Sequence, residues 1–356
     1  MATGGSGGHL FPALKVALEL KKKGHEAFFL GSFGLGVDQI QRNGFEFKNL
    51  HARGFGSSNL KENLGSSLSL LKASFMAFSF LREFHPDVVV GFGGYGAFPV
   101  VLAAVLLRYP TIIHEQNVTP GKANALLSKF VRKVAISFEE SYRYFNQRKT
   151  ILTGCPCQYS PVTISKEEIY QWFNLKEGKT TILVFGGSQG SHRINQEFLK
   201  SVILLKDKFD FQFIHICGKK DFDGLKGSYA KIQIPFALFE FLDRMDYAYR
   251  IADLIVGRAG ALTVTEIAMH QIPAILIPYP YAGGHQKKNA LALREAARVS
   301  VIEEKSLTTK QLKEAMEGLL TGEAGAGKKE ARFPRNFFPD AAARLAAEAE
   351  GLGHEN

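Results

Sequence analysis

The sequence is poor in cysteine, with three in 356 residues: Cys155, Cys157 and Cys217. The number is odd, and Cys155-Pro156-Cys157 has neither a zinc nor a redox spacing. That pattern fits a reduced, cytoplasmic setting. No apolar run approaches the roughly 20 residues that cross a bilayer. The N-terminus is glycine-rich where a secretory signal would be apolar. Nothing repeats at a period of about 20–50 residues, which excludes solenoid folds. No G-x-x-x-x-G-K-[ST] stretch exists, so a P-loop NTPase is out. A dinucleotide fingerprint fails as well. Counted from Gly5, Gly7 fits but the third glycine falls at Leu10, and the second strand ends in Leu30-Gly31-Ser32 with no acid for a ribose. The only D-x-D, Asp221-Phe222-Asp223, reads as solvated loop rather than a metal site.

What is present is the composition of a folded protein, 46% apolar and 22% charged, with 35 glycines, more than usual. The length points to two domains. The net charge of +10 is uneven: residues 1–150 hold 18 Lys and Arg against 10 Asp and Glu. A basic first half suits an anionic partner, whether nucleic acid, anionic lipid or a phosphorylated substrate, but also fits a merely soluble surface.

Short apolar runs alternate with longer amphipathic ones. Leu10–Lys23 reads as a helix closed by Gly24, and His25–Gly31 as a strand. Val88–Gly91 follows as a buried strand, then Phe98–Leu107 as a helix, and Thr111–His114 and Lys133–Ser137 as strands. The β-α-β-α order marks a parallel sheet covered by helices. Thr150–Pro161 breaks the pattern and reads as a linker. The scheme then restarts, with strands at Thr180–Phe185, Phe211–Cys217, Leu254–Val256 and Ala274–Ile277 and a helix at Asn195–Leu205. Thr321–Lys329 reads as exposed loop and Asp340–Gly351 as a terminal helix. The expected fold class is α/β, two doubly wound halves with ligands at the carboxyl ends of their strands.

Each half opens with a glycine turn before a helix, Gly4-Gly5-Ser6-Gly7-Gly8-His9 and Gly186-Gly187-Ser188-Gln189-Gly190-Ser191. Glycine lets backbone approach an anion closely, and a helix N-terminus favours negative charge. A tight turn with no ligand has the same composition, so each loop alone leaves both readings open. Three more polar clusters stand beside glycine and proline: His114-Glu115-Gln116-Asn117 after a strand, Gly257-Arg258-Ala259-Gly260 leading to Glu266, and His285-Gln286-Lys287-Lys288-Asn289. Glu266 suits a sugar diol, or equally the N-terminal dipole of its helix.

Taken in order, GGSGGHLFPAL, GFGGYGAFP, HEQNVTPGKAN, FGGSQGS, GRAGALTVTE and GGHQKKNA resemble the MurG family of peptidoglycan glycosyltransferases, glycosyltransferase family 28. The resemblance spans about residues 3–300. It implies a GT-B fold. Residues 1–152 would form an acceptor and membrane-associating domain, 153–333 a UDP-GlcNAc-binding domain, and 334–356 a helix and tail packing back on the first. It implies metal-independent, cofactor-free, inverting transfer of N-acetylglucosamine from UDP-GlcNAc to the 4-hydroxyl of the muramoyl sugar of lipid I. The enzyme would be peripheral on the cytoplasmic face of the bacterial plasma membrane. Its partners would be UDP-GlcNAc, lipid I and an anionic membrane surface, not nucleic acid.

By resemblance the donor maps onto Ser188, Leu242, Ala261, Leu262, Thr263, Val264, Thr265, Glu266 and Gln286, with Ser6, Gly7, Gly8 and Asn117 at the sugar end. His9 is the candidate base or acceptor-positioning residue, and also fits a histidine packing its own helix; Glu115 is the second candidate base. The family's linker arginine is Gln158 here, which implies either a substitute cation, Arg193 or Arg258, or a lower donor affinity. In Leu60–Glu83, Leu68, Leu71, Phe75, Phe78 and Leu81 recur at helical spacing, which fits a membrane-facing helix or a buried one. The lead-in Met1-Ala2-Thr3 is too short for the strand expected before the first glycine turn, which predicts an incomplete first sheet or a start further upstream. Other GT-B enzymes remain open at this point: a diacylglycerol glycosyltransferase, a UDP-GlcNAc 2-epimerase, or an inactive binding module.

Overall fold

The computed structural model describes residues 1–52, 60–157, 163–294, 297–321 and 337–354. The chain divides into two compact units, Met1–Cys157 with Asn336–Asn356, and Gln158–Arg335.

The first unit carries strands β1 (Ala2–Gly4), β2 (Phe28–Ser32), β3 (Glu46–Asn49), β4 (Val89–Gly91), β5 (Thr111–Glu115), β6 (Lys133–Ile136) and β7 (Thr150–Leu152). All pair in parallel, in the order β3-β2-β1-β4-β5-β6-β7. Helices α1 (Gly7–Lys22), α2 (Val37–Arg42), α3 (Leu60–Phe84), α4 (Gly94–Leu106) and α5 (Lys122–Leu127) connect them. The inner strands are apolar on both sides because apolar clusters cover both faces of the sheet.

Against the expectation of an incomplete sheet, Ala2–Gly4 forms an inner strand, between β2 and β4. Ala2, Thr3 and Gly4 pair with Leu30, Gly31 and Ser32, and Ala2 also pairs with Gly91. The Phe92 N–H donates to Ala2 O at 2.8 Å, so the short strand is held from both sides. Thr150–Leu152 is likewise a strand, β7, rather than the start of a linker.

Helix α3 buries only the Phe78 and Leu81 end of the stripe its large residues mark, together with alanines off that stripe. Ala73, Ala77 and Leu81 are the buried residues that pack towards α4, with Phe78 and Phe80 partly covered. Small side chains let the two helices approach closely. Leu68, Leu71 and Phe75 are left 55%, 67% and 76% exposed. Tyr109, after α4, donates to Leu81 O at 3.0 Å and ties the end of α3 down.

The second unit repeats the plan with β8 (Thr180–Phe185), β9 (Phe211–Ile216), β10 (Phe236–Phe239), β11 (Leu254–Gly257), β12 (Ala274–Leu276) and β13 (Val299–Val301). Their order is β10-β9-β8-β11-β12-β13, again parallel. Its helices are α6 (Lys166–Trp172), α7 (His192–Leu205), α8 (Phe222–Tyr229), α9 (Met245–Ile251), α10 (Ala261–His270), α11 (His285–Arg294) and α12 (Thr309–Leu320). Helix α13 (Ala341–His354) belongs to the first unit. Its Leu345, Ala346, Ala349 and Leu352 join the core beside Leu10, Ala13 and Ala17 of α1. Glu350 pairs with Lys23 at 2.6 Å and with His25 at 2.9 Å, and hydrogen bonds from these two side chains hold its carboxyl down to about 2.

A polar brace runs beneath the second glycine turn. Asn195 Nδ2 donates to Cys217 O at 2.9 Å and to Asp221 at 2.7 Å, which leaves Asn195 Oδ1 to accept from His215 Nε2 at 3.0 Å. His215 Nδ1 meets the Tyr229 hydroxyl at 2.8 Å. Burial pushes His215 down to about 3, so it is neutral. Asp221 is therefore no solvated loop residue: it stands at the N-cap of α8, bonded to Asn195 and to His192 at 2.7 Å.

Candidate active site

In the first unit the polar residues meet at the carboxyl ends of β1, β4 and β5. Ser6 is the N-cap of α1, and its carbonyl accepts from His9 N and Leu10 N, both at 3.0 Å. Gly7, Gly8 and His9 form the first turn; the His9 N–H is taken by Ser6 O, and the Gly7 and Gly8 N–H groups are among those a helix leaves without an intrahelical partner. His9 is half-buried. Its Nδ1 lies 3.1 Å from Gln116 Oε1, and its ring lies against Gly94 at the start of α4. A Cβ at Gly94 would stand 3.1 Å from His9 Cδ2, and the φ of +76° there also favours glycine.

Glu115, the second candidate base, is held in a cage of donors. It ends β5 at 1% exposure, and four donors surround its carboxylate. Oε1 accepts from Asn117 N at 2.9 Å and Asn117 Nδ2 at 3.1 Å. Oε2 accepts from Gly121 N at 3.1 Å and Asn124 Nδ2 at 2.9 Å. An acceptor filled this way holds a loop: the carboxylate shapes residues 116–121 and sets Asn117 in place.

In the second unit the candidate residues follow β8, β10, β11 and β12. Ser188 is exposed in the turn between β8 and α7. That turn lies flush on the end of β9: a Cβ at Gly190 would fall 2.0 Å from Cys217 O, and its φ is +75°. Leu242, between β10 and α9, has a buried side chain and so offers only backbone. In the run 261–266, Ala261, Val264 and Thr265 face the core, while Leu262, Thr263 and Glu266 are half-exposed. Glu266 lies beyond the first turn of α10, where the dipole reading would need it, and accepts from the Tyr249 hydroxyl at 2.9 Å. Tyr249 is itself stacked on His270, ring centroids 5.3 Å apart. Gln286 Oε1 accepts from Ala259 N at 3.1 Å and Tyr279 N at 3.0 Å, which fixes its amide and leaves its NH2 as the donating end.

Neither substitute cation stands unengaged. Arg258 is buried, forks onto Glu304 at 2.9 and 3.0 Å, and reaches Ser191 Oγ at 2.9 Å and Ile277 O at 3.2 Å. It stitches the glycine turn to β12. Arg193 donates to Leu307 O at 2.9 Å. Gln158 lies outside the described residues, as does most of Thr321–Lys329.

Residues 1–136 match the glycosyltransferase family 28 N-terminal domain, and residues 181–345 match the glycosyltransferase family 28 C-terminal domain. The chain belongs to glycosyltransferase family 28. It is 40% identical over 329 residues to the UDP-N-acetylglucosamine–N-acetylmuramyl-(pentapeptide) pyrophosphoryl-undecaprenol N-acetylglucosamine transferase of Halothermothrix orenii, across 89% of this chain and 88% of that one. It is 36% identical over 355 residues to the Listeria welshimeri protein of the same name, across 98% of each. The crystal structure of Acinetobacter baumannii MurG superposes with a TM-score of 0.74 at 27% identity, covering 99% of this chain and 98% of that one. A UDP-GlcNAc 2-epimerase from Neisseria meningitidis superposes at 0.68 with 15% identity, across 96% of each chain, and shares the fold alone. The two parallel-sheet units have the GT-B fold of family 28.

Two residues of this family 28 chain that bear on the candidate site carry no role in the sequence reading. Gln116 lies inside the quoted HEQN cluster, but its contact to His9 spans 107 residues of sequence. Tyr249 supports Glu266 from another helix, with no local motif to mark it.

Proposed function

We propose that this family 28 enzyme moves N-acetylglucosamine from UDP-GlcNAc to the 4-hydroxyl of the muramoyl sugar of lipid I, with inversion at the anomeric carbon. The observation that carries the reading is the 36–40% identity, over nearly the whole chain, to relatives named for this transfer. The layout within each unit supports it. His9 Nε2 takes the proton from the acceptor hydroxyl as its oxygen attacks the anomeric carbon. The bond from that carbon to the diphosphate oxygen breaks, and UDP leaves with the electron pair. Backbone N–H groups at Ser188 and at the N-terminus of α7 meet the charge on the leaving diphosphate. Glu266 accepts from the ribose hydroxyls, Gln286 donates to the sugar, and Asn117 with the Ser6-Gly7-Gly8 turn completes the sugar end.

The acceptor's lipid brings the enzyme to a membrane surface. Among the described residues no helix is long and apolar enough to cross a membrane. Helix α3 instead exposes Leu68, Leu71, Phe75 and Met76, beside the exposed cation Lys72. An apolar face with basic surroundings suits the interface of an anionic leaflet, here the cytoplasmic face of the plasma membrane.

The test is UDP release from UDP-GlcNAc with and without a lipid I analogue. Release that requires the acceptor supports the reading. Release without it points to hydrolysis or epimerase-type chemistry, and no release in either case overturns enzymatic transfer.

A further inference from the structure

We infer that Gln116 is a positioning residue that fixes the tautomer of His9, through a hydrogen-bonded line running from His9 across Gln116 and His114 to Gly154. The inference rests on the reading of His9 as the base. It starts from two carbonyl oxygens, which can only accept. Gln116 Nε2 lies 3.0 Å from Phe92 O, so that atom is the amide NH2 and the oxygen faces His9. Gln116 Oε1 can only accept, so His9 Nδ1, 3.1 Å away, carries a proton. In the neutral ring the lone pair then sits on Nε2, the nitrogen turned towards Gly94. At the far end His114 Nε2 lies 2.9 Å from Gly154 O and must donate to it. His114 Nδ1 is therefore an acceptor, 3.2 Å from the Gln116 amide nitrogen, whose second proton it shares with His114 O at 3.3 Å.

Every group along the line has one allowed role, set by Phe92 O and Gly154 O. Gln116 and His114 are 1% and 0% exposed, so no water competes for these bonds. Burial pushes His114 down to about 4, which keeps it a neutral, single-tautomer partner near neutral pH. The arrangement also suits the step itself. When Nε2 gains the acceptor's proton, Nδ1 still donates to Gln116 Oε1, so no bond has to be remade. The far anchor lies where two chain segments pack: a Cβ at Gly154 would meet Phe338 and Ala341, at the return of the chain into α13.

The test compares the full-length protein with its Gln116→Met, Gln116→Glu and His9→Ala variants, reading kcat and the UDP-GlcNAc KM against pH, and the 15N shifts of His9. Loss of a tautomer-fixing partner lowers kcat by about four orders of magnitude in a hydrolase triad. A neutral amide holds less tightly, so Gln116→Met lowers kcat by roughly ten- to a hundredfold with donor KM within about twofold, and His9 15N shifts move towards a tautomer mixture. Gln116→Glu places a carboxylate on Nδ1–H, favours the imidazolium and moves the acidic limb of the kcat profile to higher pH. That second variant keeps the inference testable where Gln116→Met does not fold. Unchanged kcat and unchanged His9 shifts in Gln116→Met, or an unmoved limb in Gln116→Glu, overturn the inference. If His9→Ala keeps near-normal turnover, the base reading itself fails; if only His9→Ala is impaired, the Gln116 inference fails and the base stands.

Discussion

Replacing Glu115 by glutamine separates a loop-holding carboxylate from a base, because the two roles predict opposite outcomes. The substitution keeps size and one oxygen. Asn117 N and Asn117 Nδ2 still have Oε1 to donate to. Gly121 N and Asn124 Nδ2 lose a charged acceptor and meet an NH2 instead. A hydrogen bond to a charged group contributes about 1.5–3 kcal/mol. Two are lost, but Gly121 is half-exposed and water can replace part of its share. The net cost is about 3 kcal/mol, near the low end for two such bonds. For a unit of this size that lowers its melting transition by roughly 6–12 °C. Calorimetry reads the transition, and steady-state kinetics on the same sample reads the donor KM, which rises as the loop that carries Asn117 loses its hold at Gly121 and Asn124. An unshifted transition with kcat collapsed at normal donor KM would restore Glu115 as a base and refute the reasoning.

Further outcomes follow from the same geometry. Tyr249→Phe removes the hydroxyl that holds Glu266; the donor KM rises several-fold with kcat little changed, and less than in Glu266→Ala, whereas equal values in wild type and both variants would remove this pair from donor binding. His114 and His215 are buried neutral, with folded values of about 4 and about 3 against an ordinary 6.5. Their stabilisation is therefore complete above the unfolded value and is lost as pH falls from 6.5 towards those values. Each unit loses about 2 kcal/mol between pH 7 and 5 from its histidine. Thermal melts across that range show the slope, His215→Gln flattens it in the second unit, and pH-independent melts contradict it. Phe75→Ser with Leu71→Ser abolishes sedimentation with anionic liposomes and spares turnover on a water-soluble acceptor; undiminished sedimentation assigns membrane contact elsewhere.

Most inner strands and the glycine turns were legible because continuous apolar runs such as Thr180–Phe185 stop at glycines, whereas the short strands Glu46–Asn49, Phe236–Phe239 and Val299–Val301 were not read. Ala2–Gly4 escaped because three residues carry no period; its place is set by pairing partners far along the chain. Thr150–Leu152 escaped for the same reason, next to a stretch rich in proline and glycine. On α3 the spacing of large residues marked a face, but the core took Ala73 and Ala77, since close approach to α4 rewards small side chains. At the site, the loop residues stood out by type and position. Gln116 on His9 and Tyr249 on Glu266 join separate elements, so only the folded chain displays them.

The central claim is tested most directly by the structure of the product. Incubation with UDP-GlcNAc and a lipid I analogue, followed by NMR of the purified product, reads the anomeric coupling and the linkage position together. The account predicts a single N-acetylglucosamine joined β to the 4-hydroxyl of the muramoyl sugar, with one UDP released per linkage. An α-linked sugar, free N-acetylglucosamine or an epimerised nucleotide sugar would contradict it.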